Sequence, residues 1–172
     1  MKKKILQILI IFLLLLLALL FFKESEKLPE YRILEVVGAD RFYLDLNKNN
    51  KIDENEFVKL KYVRAFSPFK TQFSEKSAHD LNLSTYDYLK LGVLANSWAK
   101  AELLNKNVKV KGLSDCDFKN NSCYVEVKFN NKDLAKYLLL NGLAYIRTEN
   151  KRASFYSYFN SFQIKNNLSK LN

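Results

Sequence analysis

The stretch VVGADRFYLDLNKNNKIDENEFVKLKYVRAFSP, from Val36 to Pro68, sets two β-type runs on either side of a twelve-residue loop of acids and amides. The flanking runs, Arg32 to Leu46 and Phe57 to Phe66, are rich in Val, Ile, Tyr and Phe with approximate alternation, the pattern of half-buried strands. The loop, Asp45 to Glu56, reads DLNKNNKIDENE. It puts side-chain oxygens at positions 1, 3, 5, 9 and 12 (Asp45, Asn47, Asn49, Asp53, Glu56) and an apolar residue, Ile52, at position 8. A hard cation such as Ca²⁺ takes six to eight oxygens at about 2.3–2.6 Å, and this spacing wraps them round one point. Lys51 would add its backbone carbonyl, and Glu56 would close the set with both oxygens. Asn50 stands at position 6, where a left-handed turn is needed, and Asn tolerates that conformation best after Gly. Three carboxylates offset by Lys48 and Lys51 point to weak binding, on the order of 10⁻⁴ M. The flanks are strands, so the expectation is a metal-pinned β-hairpin with Ca²⁺ in a structural role. The plainer reading is a solvated turn of ordinary turn residues.

The 172 residues leave room for one domain behind an unusual start. MKKK is followed by an apolar run, Ile5 to Phe22, interrupted only by Gln7. That is at the lower edge of a membrane-spanning length, and no A-x-A-like cleavage signal follows. The reading favours a membrane anchor or signal segment over 1–22, uncleaved rather than cleaved, then a linker over 23–30 and a folded domain over 31–172. The lysines would stay in the cytoplasm and the domain would lie outside it, in the periplasm or at the cell surface. Setting aside the three leading lysines reduces the formal charge of +10 to +7. Such a surface suits nucleic acid or anionic lipid, although the lysines are spread along the chain and not clustered. Cys116 and Cys123 bracket DFKNNS, a turn sequence, and an outward location permits a disulfide between them. Free thiols are the alternative. Two Cys and a distant His79 do not make the usual four-ligand zinc site.

Beyond the loop, Ser67 to Thr85 reads as irregular, with Ser84-Thr85 as a helix cap. Tyr86 to Leu104 carries Leu89, Leu91, Val93, Leu94, Trp98, Ala101 and Leu104 as a helical stripe. Val108–Lys111 and Tyr124–Phe129 alternate as strands. Asn131 to Asn141 reads as a helix stopped by Gly142, then Leu143–Ile146 as a short extended segment and Asn150–Leu171 as a closing amphipathic helix. The order implies an α+β fold, a small closed β-barrel with helices packed on it.

Four segments give the chain a resemblance: VVGADRFYLDL, VKLKYVRAF, GVLANSWAKAELLNKNVKV and KDLAKYLLLNGLAYI. In order and spacing it resembles the staphylococcal-nuclease-like (thermonuclease) domain over Tyr31 to Asn167. The resemblance implies an OB-type five-stranded barrel with about three helices and, in intact members, Ca²⁺-dependent hydrolysis of DNA and RNA. That chemistry needs carboxylates on a catalytic ion, a Glu to activate water and two Arg for the transition-state charge. Asp40 falls on the first Ca²⁺-binding Asp, with Arg41 where the family has Thr. Lys59 falls on the first phosphate-binding Arg and lacks its bidentate fork. Arg64 falls on the second Ca²⁺-binding Asp, Ser67 on the catalytic Glu, and Ser122 on the second Arg. A register pinned on Pro68 puts Phe66 and Phe69 at the acidic positions instead. Losing a general base costs about 10²–10⁴ in rate, and losing one electrostatic stabiliser about 10²–10³. The expectation is therefore a binding or assembly module with a dismantled catalytic site, partnered by nucleic acid or by another protein. The alternative is a Ca²⁺-dependent nuclease that uses Asp40, Lys59 and Arg64.

Overall fold

A computed structural model describes residues 27–120, 123–147 and 154–171. The N-terminal apolar run, the linker up to Glu26, and Ser122 lie outside the described residues. The described residues form eight strands: β1 Glu30–Gly38, β2 Arg41–Leu44, β3 Phe57–Leu60, β4 Val63–Ala65, β5 Asn107–Lys111, β6 Tyr124–Phe129, β7 Lys132–Asp133 and β8 Ala144–Ile146. The described residues also form four helices: α1 Gln72–Asp80, α2 Thr85–Leu103, α3 Leu134–Leu140 and α4 Ser154–Leu171.

The strands run in the order β3-β2-β1-β5-β6, and β6 returns to pair with β3, so five strands close on themselves as a mixed OB-like barrel in an α+β fold. Every pairing in the barrel is antiparallel except the closing one, where Lys59 lies opposite Tyr124 and Leu60 opposite Val125. Closure removes the exposed edges that an open sheet of this size would present. Alternation points Ile33, Phe42, Leu44, Val58, Leu60, Val108, Val110, Val125 and Val127 into one core. A second, smaller core of Phe66, Ala78, Tyr88, Leu91, Tyr145 and Ile164 lies under the helices. Its three rings pack edge-on or tilted, with centroids 5.2–6.2 Å apart.

Several boundaries differ from the sequence expectation, each for a local reason. The run Arg32–Leu46 is two strands, because the chain turns at Ala39-Asp40. The run Phe57–Phe66 breaks at Lys61-Tyr62, where Tyr62 has φ of 73°, and β4 leaves the barrel to pair with β8. The segment expected to be irregular contains α1. Its Ser74 N–H bonds to Thr71 Oγ1 and its Ser74 Oγ accepts from Thr71 N–H, a reciprocal cap. The face it buries consists of Ser74, Ser77 and Ala78, so no hydrophobic stripe announces it. Four helices thus stand where about three were expected.

Helix α2 starts at Ser84, whose hydroxyl accepts from Asp87 N–H. Its buried face is Tyr88, Leu91, Gly92, Ala95, Ala99 and Leu103, rotated from the expected stripe, and Val93 is 56% exposed. Small residues win that face because the helix comes within contact of backbone: a Cβ on Gly92 would stand 2.2 Å from the Ser67 carbonyl. Trp98, at the rim, stacks on Tyr137 at 5.0 Å. Helix α3 ends at Gly142, whose φ of 62° makes the left-handed stop. Asn160 of α4 is buried and donates to the carbonyls of Leu139 and Ala144. The side chains of Phe155, Tyr156, Tyr158, Phe159 and Phe162 lie outside the described residues. Among the described residues, no helix is long and apolar enough to cross a membrane.

Candidate functional site

At one end of the barrel the β1–β2 turn, β3, β4 and the chain after β8 surround a cleft of about 510 Å³. The pairing rules of the sheet put its charged residues together. Arg41 on β2 lies opposite Lys59 on β3, and Lys59 lies opposite Tyr124 on β6 across the closing seam. Arg64 comes from β4, and Arg147 follows β8, its backbone N–H held by the Tyr62 carbonyl. The cleft is lined by Arg41, Lys59, Arg64 and Arg147 against one carboxylate, Asp40. The cations lie against aromatic rings: Arg64 is 4.3 Å from the Phe73 centroid, Arg147 is 4.6 Å from Tyr124, and Lys59 is 5.7 Å from Tyr124 and 5.5 Å from Phe57. Phe69 and Phe73 form an exposed lip.

Among the described residues Asp40 is the one acid on this wall, 5% exposed. Its Oδ1 is 3.4 Å from Arg41 Nε, close enough for charge attraction, yet no hydrogen bond reaches that oxygen. Burial pushes its carboxyl above the ordinary carboxylate pKa, and Arg41 opposes the shift only in part. Tyr124 is displaced the other way. A hydrogen bond from Arg147 and the charges of Arg147, Lys59 and Arg64 draw its phenol below the usual value against a smaller effect of burial. The two shifts have different origins: exclusion of water dominates at Asp40, and the cations dominate at Tyr124. Four cations around this cleft suit an anion, and a pair of phosphate oxygens matches the two N–H groups of an Arg fork.

Of the residues singled out in the sequence, Asp40, Lys59 and Arg64 meet in this cleft, and Ser67 lines it too. No second acid among the described residues joins them; Glu149, two residues past Arg147, lies outside the described residues. Among the described residues, no three of His, Cys, Asp and Glu gather as a metal-holding group. Arg147 and Tyr124 were not anticipated. Both lie within the resembling region, but only the β4–β8 pairing and the β3–β6 seam bring them to Lys59, and neither follows from local sequence.

The Asp45–Glu56 loop connects β2 to β3 on the side away from the cleft. Its backbone folds round itself: Asn50 N–H donates to Asp45 Oδ1, Asn49 N–H to Asn47 Oδ1 and Lys51 N–H to Asn49 Oδ1. Lys48 and Asn50 take positive φ of 61° and 58°. Asp53 Oδ2 accepts from the side-chain amides of Asn47 and Asn49, at 2.7 and 3.0 Å. Glu56 reaches back to the start of the loop, where its Oε1 accepts from Leu46 and Asn47 N–H. Its other oxygen, Oε2, is buried without a hydrogen-bond partner, on a residue only 3% exposed. Cys116 and Cys123 form a disulfide with Cα atoms 4.2 Å apart. The short turn Phe118–Asn120 between them packs on the turn Glu54–Glu56 that closes the loop.

Comparison with known proteins returns no match to a family model and none to a curated protein, so the likeness to the nuclease-like domain rests on the segments and residues named above.

Proposed function

We propose that this protein is a nuclease-like barrel that holds the phosphate backbone of DNA or RNA in the cleft of Arg41, Lys59, Arg64 and Arg147 without hydrolysing it. The carrying observation is the lining of that cleft, among the described residues four basic side chains to one buried acid. Hydrolysis would need a base to take a proton from water, and a cation held by more than one protein carboxylate. Ser67 and Arg64 occupy the positions where the resemblance puts those acids. The phosphate-binding half of the machinery survives in altered form. Lys59 keeps the first charge, and Arg147 supplies a guanidinium from the chain after β8. The domain belongs outside the cytoplasm, held to the membrane by the 5–22 apolar run.

The oxygen spacing of the Asp45–Glu56 loop supports a Ca²⁺ site there, although its three carboxylates do not stand gathered as a metal-holding group among the described residues. Asp45, Asn47, Asn49, Asp53 and Glu56 would hold it, with the Lys51 carbonyl, and the unpartnered Glu56 Oε2 is the buried oxygen such an ion would satisfy. Rotation of the Asn47 and Asn49 amides would turn their oxygens inward. The ion's contribution there is to pin the hairpin.

A second reading, a Ca²⁺-dependent phosphodiesterase, has one observation in its favour: the unpartnered Asp40 Oδ1 on the cleft wall. One assay separates the two. The full chain is incubated with DNA and with RNA in millimolar Ca²⁺, beside Asp40→Ala. Intact polymer in both samples supports the binding module; cleavage that needs Ca²⁺ and disappears in the variant establishes the enzyme.

A further inference from the structure

The cleft has a lip that its charge does not explain. Phe69 and Phe73 line it, and they are 66% and 47% exposed. A large apolar side chain exposed singly is ordinary, but two rings set beside four cations make a patch of mixed character. The backbone that carries them has little freedom. The Ser67 carbonyl and Pro68 N pack on Gly92 of α2, where a Cβ would stand 2.2 and 2.5 Å from them. Phe69 N–H donates to Ser67 Oγ at 3.3 Å. Two residues on, Thr71 and Ser74 exchange the capping bonds that fix the first turn of α1, the turn that carries Phe73. Phe69 is thus held out between two anchored points, and its exposure is built into the fold.

The rings also touch the charge. The Arg64 guanidinium lies over Phe73, 4.3 Å from the ring centroid, so a phosphate-binding cation and the lip form one wall. The other charges at the lip offset each other, with Lys70 Nζ 3.4 Å from Glu75 Oε1. A phosphate backbone seated in this cleft carries its bases to the side. In a duplex those bases are paired and stacked on one another, and they offer the rings nothing. In a single strand each base has a free face, and stacking on an aromatic ring or a guanidinium plane holds it with little regard to sequence. Cations alone predict the opposite preference, because a duplex carries one negative charge per about 1.7 Å of axis and releases more counterions per contact than a single strand.

We propose that the cleft selects unpaired nucleic acid, with Phe69 stacking on a base of the strand whose phosphates the four cations hold, and Phe73 backing Arg64 beside it. This rests on the phosphate-cleft reading given above. The test is fluorescence anisotropy with the full chain in non-ionic detergent, at one salt concentration, on three labelled DNAs of equal length. They are a single strand, a blunt duplex and a strand of abasic sites, which keeps the phosphates and has no bases. The single strand should bind at least about five-fold tighter than the other two. Phe69→Ala should bring it down to the affinity of the abasic strand while leaving the abasic strand and the melting temperature unchanged, and Phe69→Trp should keep the preference. Arg64→Gln should weaken all three. Failure of all three DNAs to bind overturns the phosphate-cleft reading, and this proposal with it. Binding of all three with the duplex equal or tighter, or a single-strand preference indifferent to Phe69→Ala, overturns the stacking lip and leaves the phosphate reading standing.

Discussion

Asp40 is a carboxylate that the fold keeps from water and only partly compensates with Arg41. Its pKa is raised above the value of 3.8 it has when exposed, and the sign of the consequence follows. Below that value the acid is protonated in both folded and unfolded chains. As pH rises through its folded pKa, the native state must carry a buried charge, and stability is lost. Asp40→Asn should therefore leave the melting temperature unchanged near pH 3 and raise it progressively toward pH 7, measured by thermal denaturation across that range; an unchanged or lowered value at pH 7 contradicts the burial argument. Gly92 is held by contact. A methyl group there meets the Ser67 carbonyl at 2.2 Å and Pro68 N at 2.5 Å, and backbone has little room to give. Gly92→Ala should cost about 3 kcal/mol, a fall in melting temperature of roughly 6–12 °C. At this scale the sequence was legible where a residue's neighbours in the chain are also its neighbours in space. Asp40, Lys59 and Arg64 could be placed in one site through the resemblance that their segments carry. Arg147 could not, because its place beside Tyr124 depends on a strand pairing 83 residues apart in register, Val63 with Ile146.

The loop and the disulfide are elements that stabilise by restricting the chain. With a dissociation constant on the order of 10⁻⁴ M, Ca²⁺ at a hundred-fold excess should stabilise the fold by about 2.7 kcal/mol. Differential scanning calorimetry with Ca²⁺ and with chelator reads this directly, and Glu56→Gln, which replaces the oxygen left unpartnered at the loop's mouth, should erase the difference. The Cys116–Cys123 bridge closes a ring of eight residues, worth about 2.5 kcal/mol in the chain-entropy account. Replacing both with Ser should lower the denaturation midpoint accordingly. Because the bracketed turn packs on Glu54–Glu56, it should also weaken the Ca²⁺ effect. Elements with a strong period or a cap were readable: α2 from Ser84, α3 from its stop at Gly142, and the alternating strands β5 and β6. Helix α1 was hidden because it buries serine and alanine where a pattern needs larger apolar residues, and the break at Lys61-Tyr62 because Val, Leu and Tyr run through it, whereas Gly38-Ala39-Asp40 carried a turn signal that the flanking β-runs masked.

At the scale of the molecule, closure of the barrel by the parallel β3–β6 seam makes one site from segments far apart in the chain and puts the loop and the cleft at opposite poles. No period or composition encodes that seam. It follows from the count of strands and the need to bury the apolar face of their alternation, and the sequence order anticipated the barrel without its register. The central claim is that four cations in one cleft hold a phosphate backbone that the protein does not cut. The most direct measurement is the affinity of the full chain for a labelled single-stranded oligonucleotide as a function of salt in millimolar Ca²⁺, with strand length checked at the end of each titration. Four phosphate contacts predict a slope of about −3 in log K against log salt, reduced by roughly one contact's share in Arg64→Gln and in Arg147→Gln, with the strand recovered intact. A slope near zero, slopes untouched by both substitutions, or a strand shortened only when Ca²⁺ is present would contradict it.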